Sequence, residues 1–129
     1  MLFRSIGKGI YPIVLSNWHP DYYDPDTFIQ PFLSCQSGDG ATGCKQGASQ
    51  ANGSFYYNPQ ANKLVIQQQG EQEPAARAAL LGQLQDLAVK DVPYIPLWQN
   101  KDYVFAKAGF KHVSIEPTQQ FLLWPIARS

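Results

Sequence analysis

Trp18-His19-Pro20-Asp21-Tyr22-Tyr23-Asp24-Pro25 is the stretch on which the reading of this chain turns. Within and just beyond it, Trp18, Tyr22, Tyr23 and Phe28 interleave with Asp21, Asp24 and Asp26. Aromatic faces supply large, stiff contact area, and a fixed carboxylate accepts charge-assisted hydrogen bonds from an ammonium group worth about 1.5 to 3 kcal/mol each. The segment therefore suits ligand binding. A plainer reading of the same residues makes Asp24 or Asp26 a helix cap and places the aromatics in a core. Pro20, Pro25 and Pro31 force the backbone to turn before a short helix from Asp26 to Leu33.

Upstream, Ile10 to Leu15 is short, apolar and β-branched, which predicts a buried strand that Pro12 confines to an edge or a start. Downstream, Ser34 to Ser54 contains almost nothing apolar and reads as a long surface loop. Asn58-Pro59 supplies a cap and a first-turn proline for a segment to Gln69, although Leu64-Val65-Ile66 alone suits a strand equally well. Pro74 opens a second helix to Lys90, with Leu80, Leu81, Leu84, Leu87 and Ala88 on one face. Such a stripe is a packing surface and is assigned no chemistry. Tyr94 to Trp98, Tyr103 to Ala106, Val113 to Ile115 and Phe121 to Trp124 then read as β segments. The order gives an α+β fold without regular βαβ alternation.

A chain of 129 residues with 44% hydrophobic and 16% charged content is globular and holds one domain at most. Ten basic residues balance ten acidic ones without clustering, so nucleic acid is not an expected partner. No apolar run approaches the ~18 to 20 residues of a membrane span, and the N-terminus lacks a signal-peptide layout. Met1 to Ser5 match nothing that follows, and they back-translate to the end of a common sequencing adapter, so residues 1–5 are read as a non-native leader. Cys35 and Cys44 sit in polar surroundings, which favours a loop-closing disulfide over two exposed thiols or a metal site.

Motifs for chemistry are missing. There is no Gly-x-Ser-x-Gly, His19 and His112 stand far apart, and the glycines of residues 38–43 precede no Gly-Lys-Ser/Thr. Asp21, Asp24 and Asp26 lack the glycine and terminal glutamate of a calcium loop. An enzyme is not expected.

Trp18-x-x-Asp21-Tyr22-x-Asp24-Pro25, followed by Thr27-Phe28, resembles the signature of the oligopeptide/dipeptide-binding family of extracellular solute-binding proteins that serve ABC transporters. Three more stretches match in order: Asn52-Gly53-Ser54-x-Tyr56-Tyr57-Asn58-Pro59, the helix with Arg77, Leu80, Gln85 and Leu87, and Val92-Pro93-x-Ile95-Pro96-Leu97. The resemblance covers nearly everything from Tyr11 to Phe105. It implies a C-terminal fragment of a two-lobe periplasmic-binding-protein type II fold, incomplete as an isolated chain. Residues 6–93 would belong to the second ligand-binding lobe, and residues 94–129 would be strands returning to the hinge and first lobe.

Further implications concern the ligand. The family position of Asp21 pairs with the α-ammonium of a peptide, with Trp18 as a wall of the pocket and His19 and Tyr22 beside them. His19-Pro20 departs from the pattern, where small residues are common, so His19 adds a polar contact and Pro20 alters the turn. Some relatives hold nickel complexes, haem or sugars in the same cleft, and a small independent protein-interaction domain is the rival outside the family. The resemblance also implies a disulfide between Cys35 and Cys44, as in dipeptide-type relatives with approximately this spacing. It implies importer membrane subunits as partners, no cofactor, a monomer at full length, and a periplasmic or extracytoplasmic location, free or lipid-anchored.

Overall fold

The structure, a computed structural model, describes residues 5–128. Its centre is three helices: α1 (Asp26–Leu33), α3 (Pro59–Gly70) and α4 (Pro74–Asp91). Between the first two lie strands β1 (Ser37–Asp39) and β2 (Gly43–Gln46) and the short helix α2 (Ala48–Ala51). Strands β3 (Phe110–Lys111) and β4 (Ala127–Arg128) pair antiparallel far down the chain. Among the described residues, mixed helices and two small two-stranded sheets agree with the α+β expectation.

Local capping chemistry explains where α3 and α4 begin. Pro59 and Pro74 occupy first-turn positions, where a missing N–H costs nothing. The Asn58 side chain accepts from the N–H groups of Gln60 and Ala61, and the Glu73 carboxylate accepts from those of Ala75 and Ala76. The short link between the helices makes them antiparallel neighbours. Their facing stripes, Ala61, Leu64 and Val65 on α3 and Leu84 on α4, close over Ile29 and Leu33 of α1 to form the core. Leu80, Leu81, Leu87 and Ala88 pack around its edge, as the helical spacing predicted.

Residues Ser34 to Ser54 are not the open loop that their composition suggests. β1 and β2 form an antiparallel hairpin with an irregularity between Ser37 and Gly38. A disulfide joins Cys35 to Cys44, with Cα atoms 5.7 Å apart. Polar side chains satisfy remote backbone in place of an apolar core. Ser49 Oγ donates to the Tyr56 carbonyl at 2.8 Å, Ser54 Oγ donates to the Phe32 carbonyl at 2.8 Å, and Asn62 Oδ1 accepts from the Cys35 N–H at 2.7 Å. Ser49 and Cys44 are consequently buried. Gly47, at φ 146°, is required because a Cβ there would lie 2.8 Å from both Cys35 Cα and Gln36 N.

Three of the expected β segments do not form strands in this chain. Ile10 to Leu15, Tyr94 to Trp98 and Tyr103 to Ala106 run without ladder partners among the described residues. Ile13 and Phe105 are 88% and 92% exposed. Their composition suits a pleated surface, but a strand exists only when a neighbour supplies its hydrogen bonds. The last predicted pair survives only as a single antiparallel bridge between Ile115 and Phe121. The reading of residues 1–5 as a non-native leader falls outside the described residues, apart from Ser5.

Candidate functional site

Trp18, His19, Asp21 and Tyr22 all lie on the irregular segment that leads into α1. What fixes this segment is a chain of hydrogen bonds into the helical core. The Trp18 indole Nε1–H donates to the Thr27 carbonyl at 2.7 Å, and its ring meets Phe32 edge-on with centroids 5.0 Å apart. Phe32 in turn contacts the Tyr94 ring at 5.1 Å. Thr27, itself buried, donates through Oγ1 to the Asp24 carbonyl at 2.7 Å.

The carboxylates of the segment have different environments. Asp24 Oδ1 accepts from the Asp26 N–H at 2.8 Å and closes the turn. The N-cap position of α1 falls on Pro25, which has no side-chain cap, so neither Asp24 nor Asp26 is the cap residue of the plainer reading. Its two oxygens also receive Arg77 of α4, Nη1 to Oδ2 at 2.8 Å and Nη2 to Oδ1 at 2.6 Å, a bidentate fork. The Arg77 hydrogen bonds hold the Asp24 carboxyl below its ordinary range, against a smaller opposing effect of desolvation. Arg77 Nε donates onward to the Gln68 carbonyl and side-chain oxygen, at 3.1 and 3.2 Å. Gln68, fully buried, and Gln69 both donate to the Asp26 carboxylate. Asp24 and Asp26 are thus committed to the scaffold. Asp21 is exposed, and its carboxylate has no hydrogen-bond or ion-pair partner among the described residues.

The predicted site residues are brought onto one segment but face two concavities. Trp18 and His19 line a cavity of about 150 Å³ together with Asn17, Phe32 and Asn52. Tyr22 lines a broader groove of about 680 Å³ between the turn and α4, bounded by Tyr23, Phe28 and Leu81. Asp21 lines neither and stands on the turn between them. His19 Nε2 lies 3.5 Å from Asn17 Nδ2. Among the described residues no group of three or more His, Cys, Asp or Glu side chains is placed to hold a metal ion. Sequence reasoning quoted Arg77 only as a motif match without a role, and it passed over Gln68. The available signal was that Arg77 is the sole basic residue between Lys63 and Lys90.

Comparison with known proteins places this geometry in context. The chain is 31% identical over 101 residues to the probable D,D-dipeptide-binding periplasmic protein DdpA of Escherichia coli K12, a match covering 78% of the chain and 18% of the relative. It is 29% identical over 87 residues to the peptide transport periplasmic protein SapA of Salmonella typhimurium, covering 67% and 14%. SapA of Haemophilus influenzae matches at 26% over 107 residues, covering 83% and 17%. No protein-family model and no solved structure matches the chain. The chain therefore spans less than a fifth of the length of these curated relatives.

The class indicated is that of periplasmic binding proteins, which are not enzymes. Within that class the chain is related to a segment of the peptide-transport members, as the motifs around Asp21 and Arg77 suggested.

Proposed function

We propose that this chain forms part of the ligand cleft of a two-lobe solute-binding protein that captures peptides in the periplasm for an ABC importer. The Asp21 carboxylate pairs with the peptide α-ammonium, and Trp18, His19 and Tyr22 line the approach. The observation that carries this reading is the contrast among three neighbouring carboxylates. Asp24 and Asp26 are engaged by Arg77, Gln68 and Gln69, while Asp21 is exposed and unengaged on a turn that they hold. A carboxylate fixed in this way loses little freedom on binding, and an ammonium group is common to peptides of any sequence.

In the full-length protein the remaining lobe closes over the ligand, and the closed form is what the membrane subunits receive. Residues 94–129 and the run at residues 10–15 supply strands to that larger body, which accounts for the exposed apolar side chains at residues 10–15, 95–98 and 103–105, where no ladder partner is present among the described residues. The experiment is isothermal titration of the full-length protein with tri-alanine. Asp21→Ala weakens binding by more than about tenfold, the equivalent of one charge-assisted hydrogen bond. Unchanged affinity would remove Asp21 from the site.

A further inference from the structure

We infer that Arg77 is a positioning residue for the ligand segment, acting through Asp24 and Thr27 to set the placement of Trp18 and Asp21. This inference rests on the proposed pairing of Asp21 with a peptide ammonium. Its basis is a continuous relay. Arg77 grips both oxygens of Asp24, the Asp24 carbonyl accepts from Thr27 Oγ1 and from the Thr27 N–H, and the Thr27 carbonyl accepts the Trp18 indole proton. On its other side Arg77 is itself oriented by the carbonyl and side-chain oxygen of buried Gln68 on α3. The guanidinium therefore ties three separate pieces of chain together: the turn, α3 and α4.

The chemistry explains why arginine suits the position. Its planar fork matches a carboxylate at two points and leaves Nε free for Gln68, so it fixes both the distance and the orientation of the Asp24 carboxylate. A lysine supplies one point charge and fixes neither. The Arg77 and Asp24 side chains are 27% and 25% exposed, so the fork is partly shielded from water. The Asp24 N–H also donates to the Tyr22 carbonyl at 2.9 Å, which carries the constraint into the turn beside Asp21. Loss of the fork frees the Asp24 end of that turn while the apolar core of Leu33, Leu64 and Leu84 stays intact.

The test is the ratio of affinities of the full-length protein for tri-alanine and for N-acetyl-tri-alanine. A purely structural role lowers the folded fraction and scales both affinities alike. A positioning role lowers the ratio itself. Arg77→Gln is expected to lower the ratio at least about threefold, and Arg77→Lys to restore it only in part, because one point contact replaces a bidentate pair. Asp24→Asn, which keeps the side-chain shape, provides a second variant and is expected to act in the same direction. A ratio well above one in the unaltered protein that stays unchanged in Arg77→Gln and Asp24→Asn overturns the role of Arg77 alone. A ratio near one in the unaltered protein removes the ammonium pairing, and the positioning role with it.

Discussion

Arg77 and Asp24, 53 residues apart in sequence, meet as a bidentate ion pair at 2.8 and 2.6 Å. The pair joins the turn after Asp21 to the first part of α4, and its energetics depend on pH with a definite sign. The folded-state pKa of Asp24 is lowered, chiefly by the Arg77 hydrogen bonds. A lowered carboxylate pKa contributes stability that is present above the unfolded value of about 4 and is lost as pH falls through the folded value. Asp91, held down by Tyr56, and Glu73, held down by the N–H groups of Ala76 and Ala75, act with the same sign. Thermal unfolding followed by circular dichroism should show the midpoint falling below about pH 4, and Asp24→Asn should flatten that decline.

The core prediction concerns two positions on one helix. Leu84 is fully buried against Ile29, Leu33 and the α3 stripe, whereas Val89 is 78% exposed. Leu84→Ala should cost about 2 to 5 kcal/mol in urea unfolding, and Val89→Ala less than about 0.5 kcal/mol. Equal costs would mean that α4 does not pack through the face described.

Asn58 caps α3 and also donates to the Asp91 carboxylate at 2.9 Å, beside the Tyr56 hydroxyl at 2.6 Å. Asn58→Ala should therefore destabilise by about 1 kcal/mol or more, at the upper side of ordinary cap losses. Asn58→Asp keeps the cap but sets a second carboxylate against Asp91, so it should recover less than the full amount.

The Cys35–Cys44 bond closes a loop with a sequence separation of 9. Its removal by paired Cys→Ala substitution should lower unfolding free energy by about 2 to 3 kcal/mol, the chain-entropy effect expected for a short loop. Protease sensitivity should rise first within the β1–β2 hairpin.

Much of the helical architecture was legible because its signals are local. Asn58-Pro59 and Pro74 announce helix starts at the residues where α3 and α4 begin, and the leucine spacing of α4 names its buried face. The strands were less legible, because Ile10 to Leu15, Tyr94 to Trp98 and Tyr103 to Ala106 have strand composition without a ladder partner among the described residues to complete them. The hairpin at residues 37–46 was missed for the opposite reason. Its order comes from Ser49, Ser54 and Asn62 reaching distant backbone groups, and polar composition alone reads as loop. At the candidate site, Asp24 as a turn residue was readable, and it accepts from the Asp26 N–H two residues on, although the cap position itself falls on Pro25. Its second partner was not, since nothing local in a helix marks an arginine as the mate of a carboxylate 53 residues earlier.

The claim that Asp21 receives a peptide ammonium is tested most directly by titrating the unaltered full-length protein with tri-alanine and with its N-acetylated counterpart. Asp21 predicts that acetylation weakens binding by more than about tenfold, and that Asp21→Ala abolishes this preference. Equal affinity for the two peptides in the unaltered protein would contradict it.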